Sequence, residues 1–265
     1  MSQKKFLPAI LLLVLSASIA AAQSIPSEVR SEIPSETPSE TVPAIRRGNR
    51  SFAKADYEAA LREYRSVPRS AGDSYSLALY NIGVCYYELW RDAEAIDFYR
   101  QALEQRRGRY PRASFALGVA LEGQGRLAEA KEAYKQSISA SHGEFAVAHF
   151  QLGLLLAAEG DYEAAASCYK NAIARAGVHV PASHNNLGVL LARQGRLTEA
   201  GREFEIALRQ AGGSFDDAAN NLKLCRSLLT AQAKDQIAAM KTAGVIEWNQ
   251  AGGEYSWTPK QGMRL

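Results

Sequence analysis

Residues 79–103 read LYNIGVCYYELWRDAEAIDFYRQAL, and this stretch decides the fold. It contains Gly83, then Ala95 twelve residues later, then Tyr99 four residues after that. The same three-residue pattern recurs five times along the chain with a period of 35 residues. The glycines are Gly48, Gly83, Gly118, Gly153 and Gly188; the alanines are Ala60, Ala95, Ala130, Ala165 and Ala200; the aromatic residues are Tyr64, Tyr99, Tyr134, Tyr169 and Phe204. An internal period of this length indicates a repeat protein.

A helical hairpin accounts for this spacing. A glycine that faces an alanine lets two helices approach closely, so we expect Ala130 to lie opposite Gly118, with the next aromatic ring filling the space beside them. Gly-containing turns such as AEGDY (158–162) and GQGRL (123–127) separate the paired helices. Each hairpin can bury its apolar face only against its neighbour, which predicts a solenoid.

The pattern resembles the tetratricopeptide repeat (TPR), whose consensus includes L-G-x-x-Y followed by A-x-x-x-F. The resemblance covers residues 44–215 and implies an all-α fold, a right-handed superhelical solenoid of five helical hairpins. One period after Gly188 stands Lys223, so the repeat has ended there. Residues 216–244 keep a helical composition and predict a C-terminal capping helix. Residues 245–265 form an aromatic C-terminal tail.

The N-terminus has the features of a secretory signal peptide. Lys4 and Lys5 precede the uncharged, largely apolar residues 6–19, and Ala20-Ala21-Ala22 offers a cleavage site. We expect residues 1–22 to be removed, so that a secreted or periplasmic protein begins at Gln23. An uncleaved segment that anchors the protein in a membrane is the alternative. Residues 23–43, rich in Pro, Ser and Glu, predict a disordered linker.

Charge and cysteine content exclude some classes of function. Lys and Arg number 31 and Asp and Glu 28, which is too balanced for a protein that binds nucleic acid through a basic face. The three cysteines, Cys85, Cys168 and Cys225, lack the spacing of a zinc site. We interpret them as small buried residues and expect no disulfide between them.

No motif of catalysis or cofactor binding is present. The sequence lacks GxSxG, HExxH and a phosphate-binding loop, so we predict a protein without catalytic residues, cofactor or metal. His149 and His184 stand one period apart, but two ligands are too few for zinc, which favours a packing role. Arg106, Arg107, Arg109 and Arg112 form a basic loop with Tyr110 among them, which could hold an acidic segment or a phosphate but is interpreted as a solvated turn.

The family resemblance implies that partners bind along the concave face, at positions three before, one after and four after each signature glycine. The register places Ile45, Val84, Val119, Leu154, Ala157, Val189 and Ala192 on this face, among them residues expected to pack between helices. The predicted partner-binding residues are Asn49, Phe52, Tyr80, Tyr87, Arg112, Phe115, Glu122, Phe150 and Asn185. Most are aromatic or apolar, which is typical of an exposed docking strip.

One TPR subgroup holds a C-terminal carboxylate with a Lys/Asn/Asn/Lys/Arg clamp. Asn49, Asn81 and Arg112 match it, but Ile45 and Ala116 stand where two of its cations belong. The resemblance therefore favours a general scaffold for protein or peptide, and from the N-terminal segment we expect it to lie in an extracytoplasmic compartment. Two alternatives remain: an accessory component of a cell-envelope enzyme or assembly machinery, without an active site of its own, and a self-associating structural oligomer.

Overall fold

The computed structural model describes residues 43–177 and 179–231, and every regular element in these ranges is helical. The α-helices are α1 Pro43–Ala53, α2 Tyr57–Arg65, α3 Asp73–Glu88, α4 Asp92–Gln105, α5 Pro111–Gly123, α6 Leu127–Ala140, α7 Ala146–Glu159, α8 Tyr162–Ala174, α9 Val180–Arg193, α10 Leu197–Gln210 and α11 Asp216–Ala231. A 3₁₀ turn, Arg69–Ala71, precedes α3. Pro43, assigned above to the linker, begins α1.

The signal-peptide prediction, the rest of the linker, the end of the predicted cap and the aromatic tail lie outside the described residues. Within those residues, no helix combines the length and the apolar character that a bilayer span requires. The chain falls into two compact units, whose described parts are residues 43–148 and residues 149–231.

The unit of residues 43–148 contains three hairpins, α1–α2, α3–α4 and α5–α6. The helix α3 packs on both α2 and α4, and α5 packs on both α4 and α6. Local sequence fixes the helix starts: the Asp56 carboxylate accepts a hydrogen bond from the Ala59 backbone N–H at 3.0 Å, and Pro111 begins α5. The predicted hairpins are confirmed, and their apolar faces form the core.

The unit of residues 149–231 holds most of α7 and the helices α8 to α11. Here α9 packs on α8 and α10, and α11 packs on α10. Most exposed residues of α11 are short or polar, namely Ala219, Asn220, Lys223, Arg226 and Ser227, but Leu229 is also 50% exposed. A largely polar outer face of this kind suits the end of an array, so α11 is the predicted capping helix, described as far as Ala231.

Each signature glycine contacts the aromatic ring of its hairpin, and the Ala95 carbonyl oxygen also lies 3.2 Å from a Cβ built at Gly83, while the pairing of Gly118 with Ala130 stays a prediction. A Cβ atom built at Gly118 would lie 2.5 Å from Cε1 of Tyr134. The same ring contact occurs at the other four glycines, and all five rings are buried. The ring lies directly beneath the glycine because only glycine leaves room for it, and Ala130 is completely buried in the same helix pair.

The three cysteines are all unpaired and buried, as predicted. Burial raises the pKa of the Cys85 thiol to about 12 and that of the Cys168 thiol to about 11. Burial also raises the pKa of the Cys225 thiol, which donates a hydrogen bond to the Leu197 carbonyl oxygen at 3.0 Å. The cysteines therefore act as core residues.

Candidate functional site

In the unit of residues 43–148, tyrosine hydroxyls of the second helices reach the first helices. The Tyr64 hydroxyl donates a hydrogen bond to Oδ1 of Asn49 at 2.8 Å. The Tyr134 hydroxyl donates one to Oε2 of Glu122 at 2.7 Å. Each ring passes beneath the glycine of its own first helix, so its hydroxyl meets the side chain one or four positions after that glycine.

We call the resulting surface the tyrosine face. It consists of four first-helix residues, Asn49, Phe52, Tyr87 and Glu122, and the buried rings of Tyr64, Tyr99 and Tyr134 lie beneath them. Tyr87 lies close enough to Tyr99 and Tyr134 to raise the pKa of both hydroxyls, although burial is the larger cause of both shifts. The face therefore gathers four of the nine residues predicted to bind a partner.

The edges of the tyrosine face differ in packing. Phe52 is half-buried and makes an edge-to-face contact with Tyr57, with ring centroids 5.4 Å apart. Tyr87 is largely buried, with 8% of the residue exposed to solvent, whereas Asn49 and Glu122 are half-buried. These side chains have polar or aromatic atoms at the surface and a fixed support beneath them.

Two residues predicted for the docking strip, Tyr80 and Phe115, belong instead to the core. Tyr80 is 2% exposed, and its ring centroid lies 5.4 Å from that of Tyr110. Phe115 is completely buried, with its ring centroid 5.4 Å from that of Tyr134. The position three before each glycine points toward the second helix and the following hairpin, so its side chain is covered.

The same correction applies to Phe150 and Asn185 in the other unit. Phe150 is completely buried and stacks on His179, with ring centroids 4.8 Å apart. Asn185 is also completely buried, and its Oδ1 accepts a hydrogen bond from Asn221 at 2.9 Å. Neither side chain reaches the surface, so the prediction that they form part of an exposed strip is wrong.

Arg112 lies half-buried in the first turn of α5, at the end of the basic loop. In that loop Arg106 donates a hydrogen bond to Oγ of Ser76 at 2.7 Å and stacks over the Tyr110 ring at 4.6 Å. Arg107 and Arg109 are exposed. The loop thus uses one arginine to fasten α4 to α3, and the other two are solvated as predicted.

The asparagines that match the carboxylate clamp are engaged with each other. Nδ2 of Asn81 lies 3.4 Å from Oδ1 of Asn49, the same oxygen that Tyr64 contacts. Ile45 and Ala116, which replace the clamp cations, are buried at 1% and 0% exposure. The geometry therefore favours a structural role for this asparagine pair.

Glu122 differs from the other carboxylates because its environment opposes its charge. Burial raises the pKa of its carboxyl to about 7, against an opposing effect of the Tyr134 hydrogen bond. Oε2 has Tyr134 as its partner, whereas Oε1 accepts no hydrogen bond from the residues that the structure describes. No lysine, arginine or histidine in the described ranges forms an ion pair with it.

Sequence reasoning missed Trp90, which is 54% exposed in the turn between α3 and α4. Its backbone is left-handed, with φ of 61°, at the turn position that glycine occupies as Gly125, Gly160 and Gly195 in the later hairpins. Bulky residues rarely adopt this conformation. Aligning the turns of the repeats would have revealed Trp90, because it stands where three later repeats have glycine.

The buried histidines have local partners. His149 is 7% exposed and His184 8%, and Nδ1 of His184 lies 2.6 Å from Oε2 of Glu203. Among the residues described, no three His, Cys, Asp or Glu side chains are grouped closely enough to hold a metal ion. His184 is thus part of the packing between α9 and α10.

Comparisons with known proteins agree with this architecture. Sequence profiles of the tetratricopeptide repeat match residues 76–109, 99–144 and 150–215. Among curated protein sequences, no relative matches.

Three solved structures illustrate the similarity of fold. MamA from Desulfovibrio magneticus RS-1 is 19% identical, with 64% of this chain and 94% of that chain covered and a TM-score of 0.53. PilF from Pseudomonas aeruginosa is 18% identical, with 74% and 86% covered and a TM-score of 0.57. YrrB, described as a TPR protein with an unusual peptide-binding site, is 22% identical, with 71% and 92% covered and a TM-score of 0.50.

At these identities the structural likeness concerns the fold. The profile matches, the 35-residue period and the glycine–ring contact in every hairpin lead to one conclusion. The chain belongs to the tetratricopeptide repeat family, and its fold is the all-α helical solenoid of that family.

Proposed function

We propose that this chain is a scaffold that binds a peptide segment of a partner protein on the tyrosine face. The observation that carries the proposal is the pair of hydrogen bonds by which the buried hydroxyls of Tyr64 and Tyr134 hold the half-buried side chains of Asn49 and Glu122. Groups fixed in this way lose little conformational entropy when a partner binds. Membership of a family of protein-interaction scaffolds supports the same function.

The chemistry of the face suits an extended or helical peptide. Phe52 and Tyr87 offer aromatic contact area, and Asn49 and Glu122 offer polar groups at defined positions. Aromatic residues commonly dominate binding energy at protein interfaces. The peptide-binding site described for YrrB, a protein of similar fold, is consistent with such a use.

Site-specific photocrosslinking in the native cell tests the proposal. A photoreactive amino acid is placed at Phe52 or Tyr87, with the exposed residue Gln101 on α4 as the matched control. We expect a discrete crosslinked partner from Phe52 and Tyr87 and none from Gln101. Crosslinks from Gln101 alone would move the binding surface to the second helices.

Affinity measurements with the crosslinked partner then separate binding from folding. Tyr87→Ala should weaken the complex roughly 30-fold, as expected when an aromatic anchor is truncated. Phe115→Ala serves as the control for loss of structure, because removing a completely buried ring costs about 3–5 kcal/mol. Its melting temperature should fall much more than that of Tyr87→Ala.

We further propose that the protein works in an extracytoplasmic compartment. The charged, apolar and small-residue segments within residues 1–22 support export. Cell fractionation with N-terminal sequencing tests this, with Gln23 expected as the first residue of the exported product. A membrane-bound product that retains residues 1–22 would indicate an anchor.

A further inference from the structure

We infer that Glu122 is the receptor for a cationic side chain, lysine or arginine, of the peptide that binds the tyrosine face. This inference rests on the proposed function and specifies the chemistry of its ligand. It assigns to Glu122 a preference for cationic side chains, and the helical repeat fold does not by itself require this preference.

The first argument is the position of Glu122 among the repeats. The residues four after each signature glycine are Phe52, Tyr87, Glu122, Ala157 and Ala192. Glu122 is the single charged residue in this set. The other four positions hold aromatic or small side chains. A charged residue at this position is therefore specific to the third hairpin and is not required by the solenoid fold.

The second argument is its place at a helix terminus. Glu122 lies in the last turn of α5, which ends at Gly123 and has no basic residue in that turn. The C-terminal end of a helix carries partial negative charge, which disfavours a carboxylate and favours a cation. A bound ammonium or guanidinium group would therefore be attracted by both the carboxylate and the helix end.

The third argument is the set of groups around the carboxylate. From α6, Tyr134 donates its hydroxyl to Oε2, and from α3, Tyr87 lies near the same hydroxyl. Phenol rings next to a carboxylate are good partners for a cation.

The fourth argument is that the carboxylate is held but not neutralised. Tyr134 fixes one oxygen, while Oε1 accepts no hydrogen bond from the described residues. The raised pKa of about 7 has burial as its main cause and no cation as a compensating one. Charge-assisted hydrogen bonds are the strong ones, so a cation that supplies the missing donor would gain more here than at an exposed acid.

The test uses three small probes: the N-acetyl methylamides of arginine, lysine and glutamine. The Glu122 side-chain carboxyl resonance of the full chain is followed by ¹³C NMR and assigned by its absence in Glu122→Gln. We expect its pKa to fall in the presence of the arginine and lysine compounds and to stay constant with the glutamine compound. The same pKa with all three would overturn the inference.

Peptide pools provide the second measurement. Pools with a fixed central arginine, lysine or glutamine are compared at pH 6 and pH 8. Because a carboxyl with a pKa near 7 is mostly ionised only at the higher pH, the arginine pool should bind roughly tenfold more tightly at pH 8. The glutamine pool should show no such change.

Variants make the outcome specific. Glu122→Gln keeps the shape and an acceptor for the Tyr134 hydroxyl, and it should abolish the preference for cationic pools. Glu129→Gln removes an exposed acid of α6, and this variant should keep the preference for cationic pools. If the glutamine pool binds as well as the cationic pools, the tyrosine face binds peptides but the inference about Glu122 is wrong. If no pool binds and the probe shifts are absent, both proposals fail.

Discussion

Glu122 shows, at the scale of a single residue, a conflict between burial and charge. Its carboxyl is partly withdrawn from water, and the hydrogen bond from Tyr134 compensates for only part of the cost. Buried polar groups are costly unless they are fully satisfied, and such sites in proteins often have a functional cause. The conflict should be visible in the stability of the protein.

The stability of the wild type should fall as the pH rises through the window between about 4.5 and about 7. In this window the folded protein holds a proton on Glu122 that the unfolded chain, with its ordinary pKa, has lost. The full penalty is present above pH 7 and disappears at low pH. Glu122→Gln lacks this group. Between pH 5 and pH 8 the free energy of unfolding of the wild type should therefore fall by about 1–3 kcal/mol relative to that of the variant.

Urea unfolding of both proteins at pH 5 and pH 8 measures this difference. Glu129→Gln is the control, because an arginine partner lowers the pKa of Glu129 and removing it should not reproduce the effect. A difference between wild type and Glu122→Gln that is the same at both pH values would show that the Glu122 carboxyl is not perturbed.

At the scale of the helices, the contact between glycine and ring defines each hairpin. A methyl group at Gly118 would lie 2.5 Å from a ring carbon of Tyr134, closer than any stable contact, so helix or ring has to move. Overpacking of this kind costs about 1–3 kcal/mol. We therefore expect Gly118→Ala to be destabilised by that amount in urea unfolding.

A matched substitution in the same helix serves as the control for Gly118→Ala. Gly123, at the end of α5, has no neighbour closer than 4.0 Å to a built Cβ, so Gly123→Ala should be neutral or slightly stabilising. Tyr134→Leu should also reduce the cost of Gly118→Ala, with a coupling energy of at least about 0.5 kcal/mol. Strictly additive effects of the two substitutions would mean that they do not touch.

The sequence predicted these helices because the spacing of Gly83, Ala95 and Tyr99 repeats with every hairpin. It placed the ring beside the glycine but did not predict how closely the two approach, since periodicity gives the helix face but not the depth of a side chain. The same limit explains Phe115 and Phe150, whose register suggested a surface and whose rings are covered. The contact of Tyr134 with Glu122 depends on that depth and could not be read from spacing.

At the scale of the whole molecule, no disulfide joins the helices in the part that the structure describes. All three cysteines are unpaired and buried there, in a chain whose N-terminus predicts export to an oxidising compartment. Extracellular proteins often add disulfides for stability, but a solenoid of this size can bury enough apolar surface without them. The thiols must then be protected from oxidation by their burial.

We therefore expect the protein isolated from its native compartment to contain three free thiols. Under native conditions iodoacetamide should leave its mass unchanged, because Cys85 and Cys225 are completely buried, Cys168 is 9% exposed and burial raises the pKa of each thiol. Only the thiolate reacts, and a raised pKa keeps its population small. After denaturation without reductant, the mass should increase by three carbamidomethyl groups. An increase of one group would reveal a disulfide, and the packed hairpins would then have to open for two of these cysteines to meet.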